Sequence, residues 1–195
     1  MEAIPAQTDI PTTPAKKKDS WWRILIDLLE TALLSIALFL GINALSARVR
    51  VDGFSMRPTL EDGQYVLVNK IAYRSSVPDF GDIVVFHFPI DPDQDFIKRV
   101  IGRPGDTVVV ENGWVTVNDM VLDEPYIAAA PRYSGRWFVQ EGQLFVLGDN
   151  RNDSSDSHSW GLVPAENIIG KAIAVYWPPP SWMLIDHIQI VNAAP

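Results

Sequence analysis

Two residues invite a chemical reading before anything else in this 195-residue chain. Ser55 lies in Gly53-Phe54-Ser55-Met56-Arg57-Pro58-Thr59-Leu60, a few residues after one long apolar segment. Lys98 lies 43 positions further on, inside the apolar run Phe96-Ile97-Lys98-Arg99-Val100-Ile101. In an extended strand, alternation puts Phe96, Lys98 and Val100 on one face and Ile97, Arg99 and Ile101 on the other. One of the two cations therefore shares a face with apolar neighbours. A lysine so placed can snorkel to water from a strand edge, or it can be buried. Burial disfavours the ammonium form and pulls the pKa down from about 10.4, at about 1.4 kcal/mol for each unit. A neutral amine can then take the proton of a serine hydroxyl as general base.

A third polar stretch, Gly148-Asp149-Asn150-Arg151-Asn152-Asp153-Ser154-Ser155-Asp156-Ser157-His158, directly follows an apolar strand-like run. It reads either as a turn-rich loop or as a set of groups that orient the lysine and neutralise Arg99. His87, His158 and His187 are scattered without ligand spacing, so no metal or other cofactor is expected. A Ser-His-Asp arrangement has only the proximity of His158 to Asp156 in its favour.

The elements that would carry these residues follow from composition. The net charge of −8 argues against a nucleic-acid partner. It is unevenly spread: residues 1–50 hold 6 Lys/Arg and 5 Asp/Glu, leaving 10 and 19 for the remainder. Cysteine is absent, which excludes disulfides and thiolate metal sites. Residues 1–20, with Pro5, Pro11, Pro14 and Lys16-Lys17-Lys18, read as a disordered tail. Residues 21–47 read as a transmembrane anchor. Their uncharged part, 31–47, spans roughly 25 Å, and extension back through Ile24 supplies the rest of a hydrocarbon core of about 30 Å. A cleaved signal peptide and a buried helix of a soluble domain are the competing readings of this segment. Lys16, Lys17, Lys18 and Arg23 outweigh Arg48 and Arg50, which predicts a cytoplasmic N-terminus and an extracytoplasmic domain.

Residues 48–195 read as a mainly β domain, an antiparallel barrel or sandwich. Strands are expected at 65–68, 82–88, 96–101, 143–147 and 171–177. A hairpin spans 107–117 with Asn112-Gly113 at its turn, and Asn118-Asp119 makes the next turn. Residues 120–142 are read as a long loop. The stretch 178–191 is read as a final edge strand, with a membrane-surface contact through Trp177 and Trp182 as the alternative.

With these stretches in view, the chain resembles the type I signal peptidases, the membrane-anchored leader peptidases of peptidase family S26. Four motifs occur in the family's order: Ser55–Leu60, Gly81-Asp82-Ile83-Val84-Val85-Phe86, Lys98–Asp106, and Gly148–Ser157 continuing into Trp160-Gly161-Leu162-Val163-Pro164. The resemblance implies a Ser-Lys dyad with Ser55 as nucleophile and Lys98 as general base. It implies further that Ser154 hydrogen-bonds the lysine amine, that Asp149 pairs with Arg99, and that Asp156 is structurally important. Preprotein signal peptides would be the substrates, cut after an Ala-X-Ala-like site at the surface of the cytoplasmic membrane's lipid bilayer. Phe54, Met56, Phe96 and Ile97 are the expected pocket walls. Two departures stand out. Gly53 occupies a position where one branch of the family has a serine, and His158 one where some members have an arginine. Another Ser-Lys peptidase cutting itself or a regulator, and a non-catalytic anchored β-domain, are the alternatives.

Overall fold

Helix α1 runs from Ser20 to Leu45 and is followed without a linker by the first strand. Its 26 residues reach roughly 39 Å at about 1.5 Å each, more than a bilayer core of about 30 Å. The segment Trp21–Leu45 has a mean hydropathy of 2.1 and none of its most apolar window is buried by protein. The hydroxyls of Thr31 and Ser35 donate to the carbonyls of Asp27 and Thr31, so these two polar side chains are satisfied within the helix. Ser46 and Ala47, expected in the anchor, already belong to a strand because they pair with Asn69 and Val68.

The computed structural model describes residues 20–185. The reading of residues 1–19 as a tail, and the continuation of the last strand past 185, lie outside the described residues. Among the described residues, twelve strands follow α1: β1 Ser46–Arg50, β2 Tyr65–Asn69, β3 Ile83–His87, β4 Asp95–Gly102, β5 Thr107–Glu111, β6 Trp114–Val117, β7 Met120–Val121, β8 Gly135–Phe138, β9 Gln143–Leu147, β10 Val163–Pro164, β11 Ile168–Trp177 and β12 Met183–Leu184. A short helix α2, Ser157–Trp160, separates β9 from β10. All pairings are antiparallel, in one sheet of order β1-β2-β11-β3-β4-β9-β10 with β12 on β11, and one of order β7-β6-β5-β8.

The two sheets share a core of Ile101, Phe145 and Leu147 from one and Val108, Val110, Val115 and Val117 from the other. This is the sandwich form of the expected architecture. The hairpin turn falls at Asn112-Gly113, with φ of 51° and 82°, a left-handed pair suited to a two-residue connection. Residues 120–142 are not wholly loop. Met120–Val121 pairs with β6 and Gly135–Phe138 with β5. Strands of two and four residues are too short to display a period, and only the partner strand defines them. Among the described residues of the final stretch, Met183–Leu184 pairs with Val175 and Ala174.

For the site, what matters is β4. Along Ile97–Gly102 both faces are buried, so Lys98 and Arg99 are enclosed together: Lys98 is 4% exposed and Arg99 0%. The snorkelling reading of Lys98 is thereby corrected, because β3 covers one edge of β4 and packed side chains cover each face.

Candidate active site

Ser55 sits in a tight turn after β1. Its neighbour Gly53 has φ of 95°, a conformation in which a side chain is strained, and its N–H donates to Asp62 Oδ1 at 2.8 Å. The backbone thus accounts for glycine at this position. The Ser55 carbonyl accepts from Asn150 N at 2.9 Å, and the Phe54 carbonyl from Asn150 Nδ2 at 3.2 Å. The Ser55 N–H donates to no protein acceptor among the described residues.

Lys98 Nζ lies 2.9 Å from Ser55 Oγ and 2.9 Å from the carbonyl of Ile97. Its amine thus touches a hydroxyl and a carbonyl, both neutral. Burial lowers its pKa from 10.5 to about 8, against the opposing fields of Asp156 and Asp149. Arg99, the next residue, is treated differently. Its Nε and Nη2 grip Asp149 at 2.8 and 2.6 Å, and its Nη1 donates to the Gly81 carbonyl at 2.9 Å. Thr59 Oγ1 adds a 2.5 Å bond to Asp149 Oδ2.

The polar loop after β9 packs directly against the serine. A Cβ on Gly148 would stand 2.4 Å from the Ser55 carbonyl oxygen and 2.2 Å from Ser154 Oγ, so no larger residue fits without displacing the loop. Asp156 accepts from Gly148 N at 2.9 Å and caps α2 through His158 N at 3.2 Å. Its Oδ1 also meets His158 Nδ1 at 2.6 Å, and the His158 ring stacks on Tyr133 at 3.9 Å. Histidine therefore supplies a partner for Asp156 in place of an arginine.

A cleft of about 510 Å³ opens in front of Ser55 and Lys98, walled by Phe54, Phe96 and Ile97 among others. Two expectations need correction. Met56 is 1% exposed and packs in the core with Val51, Leu60 and Val66, away from the cleft, because the turn after Ser55 points it inward. Ser154 Oγ is buried in the loop after β9 but has no hydrogen-bond partner among the described residues, so its expected bond to the amine is not made. Thr59 and Asn150 are contributors that motif reading passed over, although both lie in stretches already singled out. Glu124 and Tyr126 were hidden in a segment read as loop, with no periodicity to mark them.

A hydroxyl against a buried amine, on an antiparallel β-domain behind a cleft, defines a class of protein, the serine-type hydrolases. The comparisons narrow the class. Residues 24–177 match the family model "Signal peptidase, peptidase S26". The chain is 43% identical over 178 residues to signal peptidase I of Leptolyngbya laminosa, covering 86% of this chain and 87% of that one. It is 34% identical over 182 residues to signal peptidase I of Bacillus caldolyticus, covering 86% and 95%. A solved signal peptidase I from Enterococcus faecalis is 31% identical and matches 48% of this chain and 95% of its own, with a TM-score of 0.45. The chain belongs to the signal peptidase family, peptidase S26, and is a serine peptidase.

Proposed function

We propose that this chain removes signal peptides from exported preproteins after an Ala-X-Ala-like site, with Ser55 as nucleophile and Lys98 as general base. The observation that carries the reading is the 2.9 Å contact between Lys98 Nζ and Ser55 Oγ in a site where the amine meets no carboxylate. With the amine neutral, its lone pair faces the serine hydroxyl and takes the proton as Oγ attacks the scissile carbonyl. The unengaged Ser55 N–H is a donor for the resulting oxyanion. Lys98, now an ammonium, returns the proton to the departing amine as the C–N bond breaks. In the second half, Lys98 deprotonates a water that attacks the acyl-Ser55 ester, restoring the hydroxyl. Asp149 and Asp156 support the loop and the neighbouring Arg99, and Ser154 lies at its edge.

The substrate segment runs in extended form through the cleft. Residues 95–97 of β4 pair with β3 on one side only, since β9 joins β4 from Arg99 onward. Their free edge can therefore accept an added strand. Phe54, Phe96 and Ile97 line shallow pockets for small side chains. The apolar helix α1 anchors the enzyme in the bilayer that also holds the signal peptide, raising the effective concentration of one for the other. Its tail faces the cytoplasm and its β-domain the outside.

The experiment is processing of an Ala-X-Ala preprotein by membranes carrying the intact chain, the Ser55→Ala variant or the Lys98→Ala variant. Each variant is expected to lose about 10²- to 10⁴-fold in rate. Full processing by either one overturns the dyad. Protease added outside spheroplasts should digest residues 60–195, and protection of that domain overturns the orientation.

A further inference from the structure

Behind the dyad lies a second buried charge cluster that the proton transfers do not use. Arg151, 1% exposed, donates through Nη1 and Nη2 to the two carboxylate oxygens of Glu124, each at 2.6 Å, and through Nε to the Gly148 carbonyl at 3.1 Å. The Tyr126 hydroxyl donates to Glu124 Oε1 at 2.8 Å. The Tyr126 ring lies 4.0 Å from the guanidinium carbon of Arg99 and 5.9 Å from that of Arg151. One aromatic ring therefore faces two buried cations, each clamped by its own carboxylate.

Two guanidiniums confined in a dry interior repel each other, and a π face within about 6 Å attracts both. The ring therefore holds both guanidiniums in a way that an aliphatic side chain of similar size cannot. An ion pair as buried as Arg151–Glu124 adds little stability over apolar packing of the same volume. What it does add is location. Arg99 is bonded to Asp149 and Arg151 to the Gly148 carbonyl, while the residue between Asp149 and Arg151, Asn150, holds the Ser55 carbonyl.

We propose that Tyr126, Glu124 and Arg151 form a positioning device for the reaction, in which the Tyr126 ring sets the spacing of the two guanidiniums and thereby the seat of loop 148–151 against Ser55 and Lys98. The inference rests on the Ser55–Lys98 reading. None of the three residues touches the reacting atoms; they act through Gly148, Asp149 and Asn150. Losing the ring tilts the loop, detunes the serine and admits water to the amine.

The test measures kcat, KM and the pH profile of the full-length chain on an Ala-X-Ala peptide. Rates are expressed per reactive site, counted by acylation of Ser55 with a penem probe. Tyr126→Leu is expected to lose about 10- to 100-fold in kcat per reactive site with KM within about twofold. The acid limb of its profile should move up by about one pH unit as Lys98 is rehydrated. Tyr126→Phe, which keeps the ring, should lose no more than about threefold, and Glu124→Gln about tenfold. If Tyr126→Leu does not fold, Glu124→Gln decides with the same two readouts. Fewer reactive sites but unchanged kcat per site and an unmoved acid limb would overturn the device and leave a merely structural cluster. A Ser55→Ala control that still cleaves overturns the dyad itself; a dead control beside normal per-site kinetics in the variants overturns only the device.

Discussion

Two lysines face the same residue across neighbouring strands and do opposite things. Lys171 on β11 and Lys98 on β4 both register against Val84 of β3. Lys171 Nζ meets a carboxylate, Asp82 Oδ1, at 2.5 Å, and Tyr73 OH meets Oδ2 of the same group at 2.8 Å. Burial pushes the Asp82 carboxyl up, but the bonds from Lys171, Asp79 N and Tyr73 outweigh it and hold it below the ordinary range. Lys98 is more deeply enclosed and meets only a serine hydroxyl and a carbonyl. Residue type and sheet are shared, so depth of burial and the charge of the acceptor make the difference. A carboxylate makes Lys171 part of an ion pair, whereas burial, opposed by the fields of Asp156 and Asp149, brings Lys98 to about 8, the range of a working base.

The contrast can be broken most severely at Lys98. Lys98→Arg keeps a cation of similar length, but a guanidinium cannot give up its proton in a protein. Peptide cleavage should fall about 10²- to 10⁴-fold, as in Lys98→Ala, and substantial activity in the arginine variant would show that a neutral base is not needed.

Next in size is the stability cost of the unpaired lysine. A drop from 10.5 to about 8 corresponds to roughly 3 kcal/mol against the fold. The full cost applies below pH 8, where the folded chain must carry a buried ammonium. Between pH 8 and 10.5 the unfolded chain binds a proton that the folded one does not, so raising the pH favours folding and the cost fades. Lys98→Met, inactive, is therefore expected to be more stable by roughly 3 kcal/mol at pH 7, with the gain vanishing above pH 10.5. Chemical denaturation of both proteins at the two pH values checks this, and a gain independent of pH would contradict it.

The smallest effect is expected at the other lysine. Lys171→Met removes the 2.5 Å ion pair to the buried Asp82 Oδ1 and should destabilise the domain by about 1–3 kcal/mol. Cleavage per folded molecule should stay within about threefold. A large loss of activity per folded molecule would mean that the two lysines are not functionally separate.

Several of these features were legible in the chain itself. The uncharged run from Thr31 to Leu45 specifies an apolar helix, because length and hydropathy are local properties. Asn112-Gly113 specifies its hairpin, because the left-handed pair is a property of those two residues. Strands β2, β3, β4 and β9 followed from β-branched and aromatic runs. The short strands β7 and β8 did not, since each exists only through its pairing with β6 or β5. At the site, motif and spacing put Ser55, Lys98, Arg99 and Asp149 on one list. They could not tell that Met56 turns into the core, that Ser154 stays unbonded, or that the Tyr126 ring faces both Arg99 and Arg151.

The division has one physical reason. Sequence alone determined what depends on neighbours along the chain: the apolar helix, the alternation of β4, the tight turns, and the chemical types available near Ser55. Tertiary structure decided what depends on distance and exclusion of water. It brought Ser55 and Lys98, 43 positions apart, to 2.9 Å, and it buried both cations of β4. It then gave a carboxylate to Arg99 and withheld one from Lys98. A lysine's basicity is set by the dielectric and the charges within a few ångströms, and only the folded chain defines those.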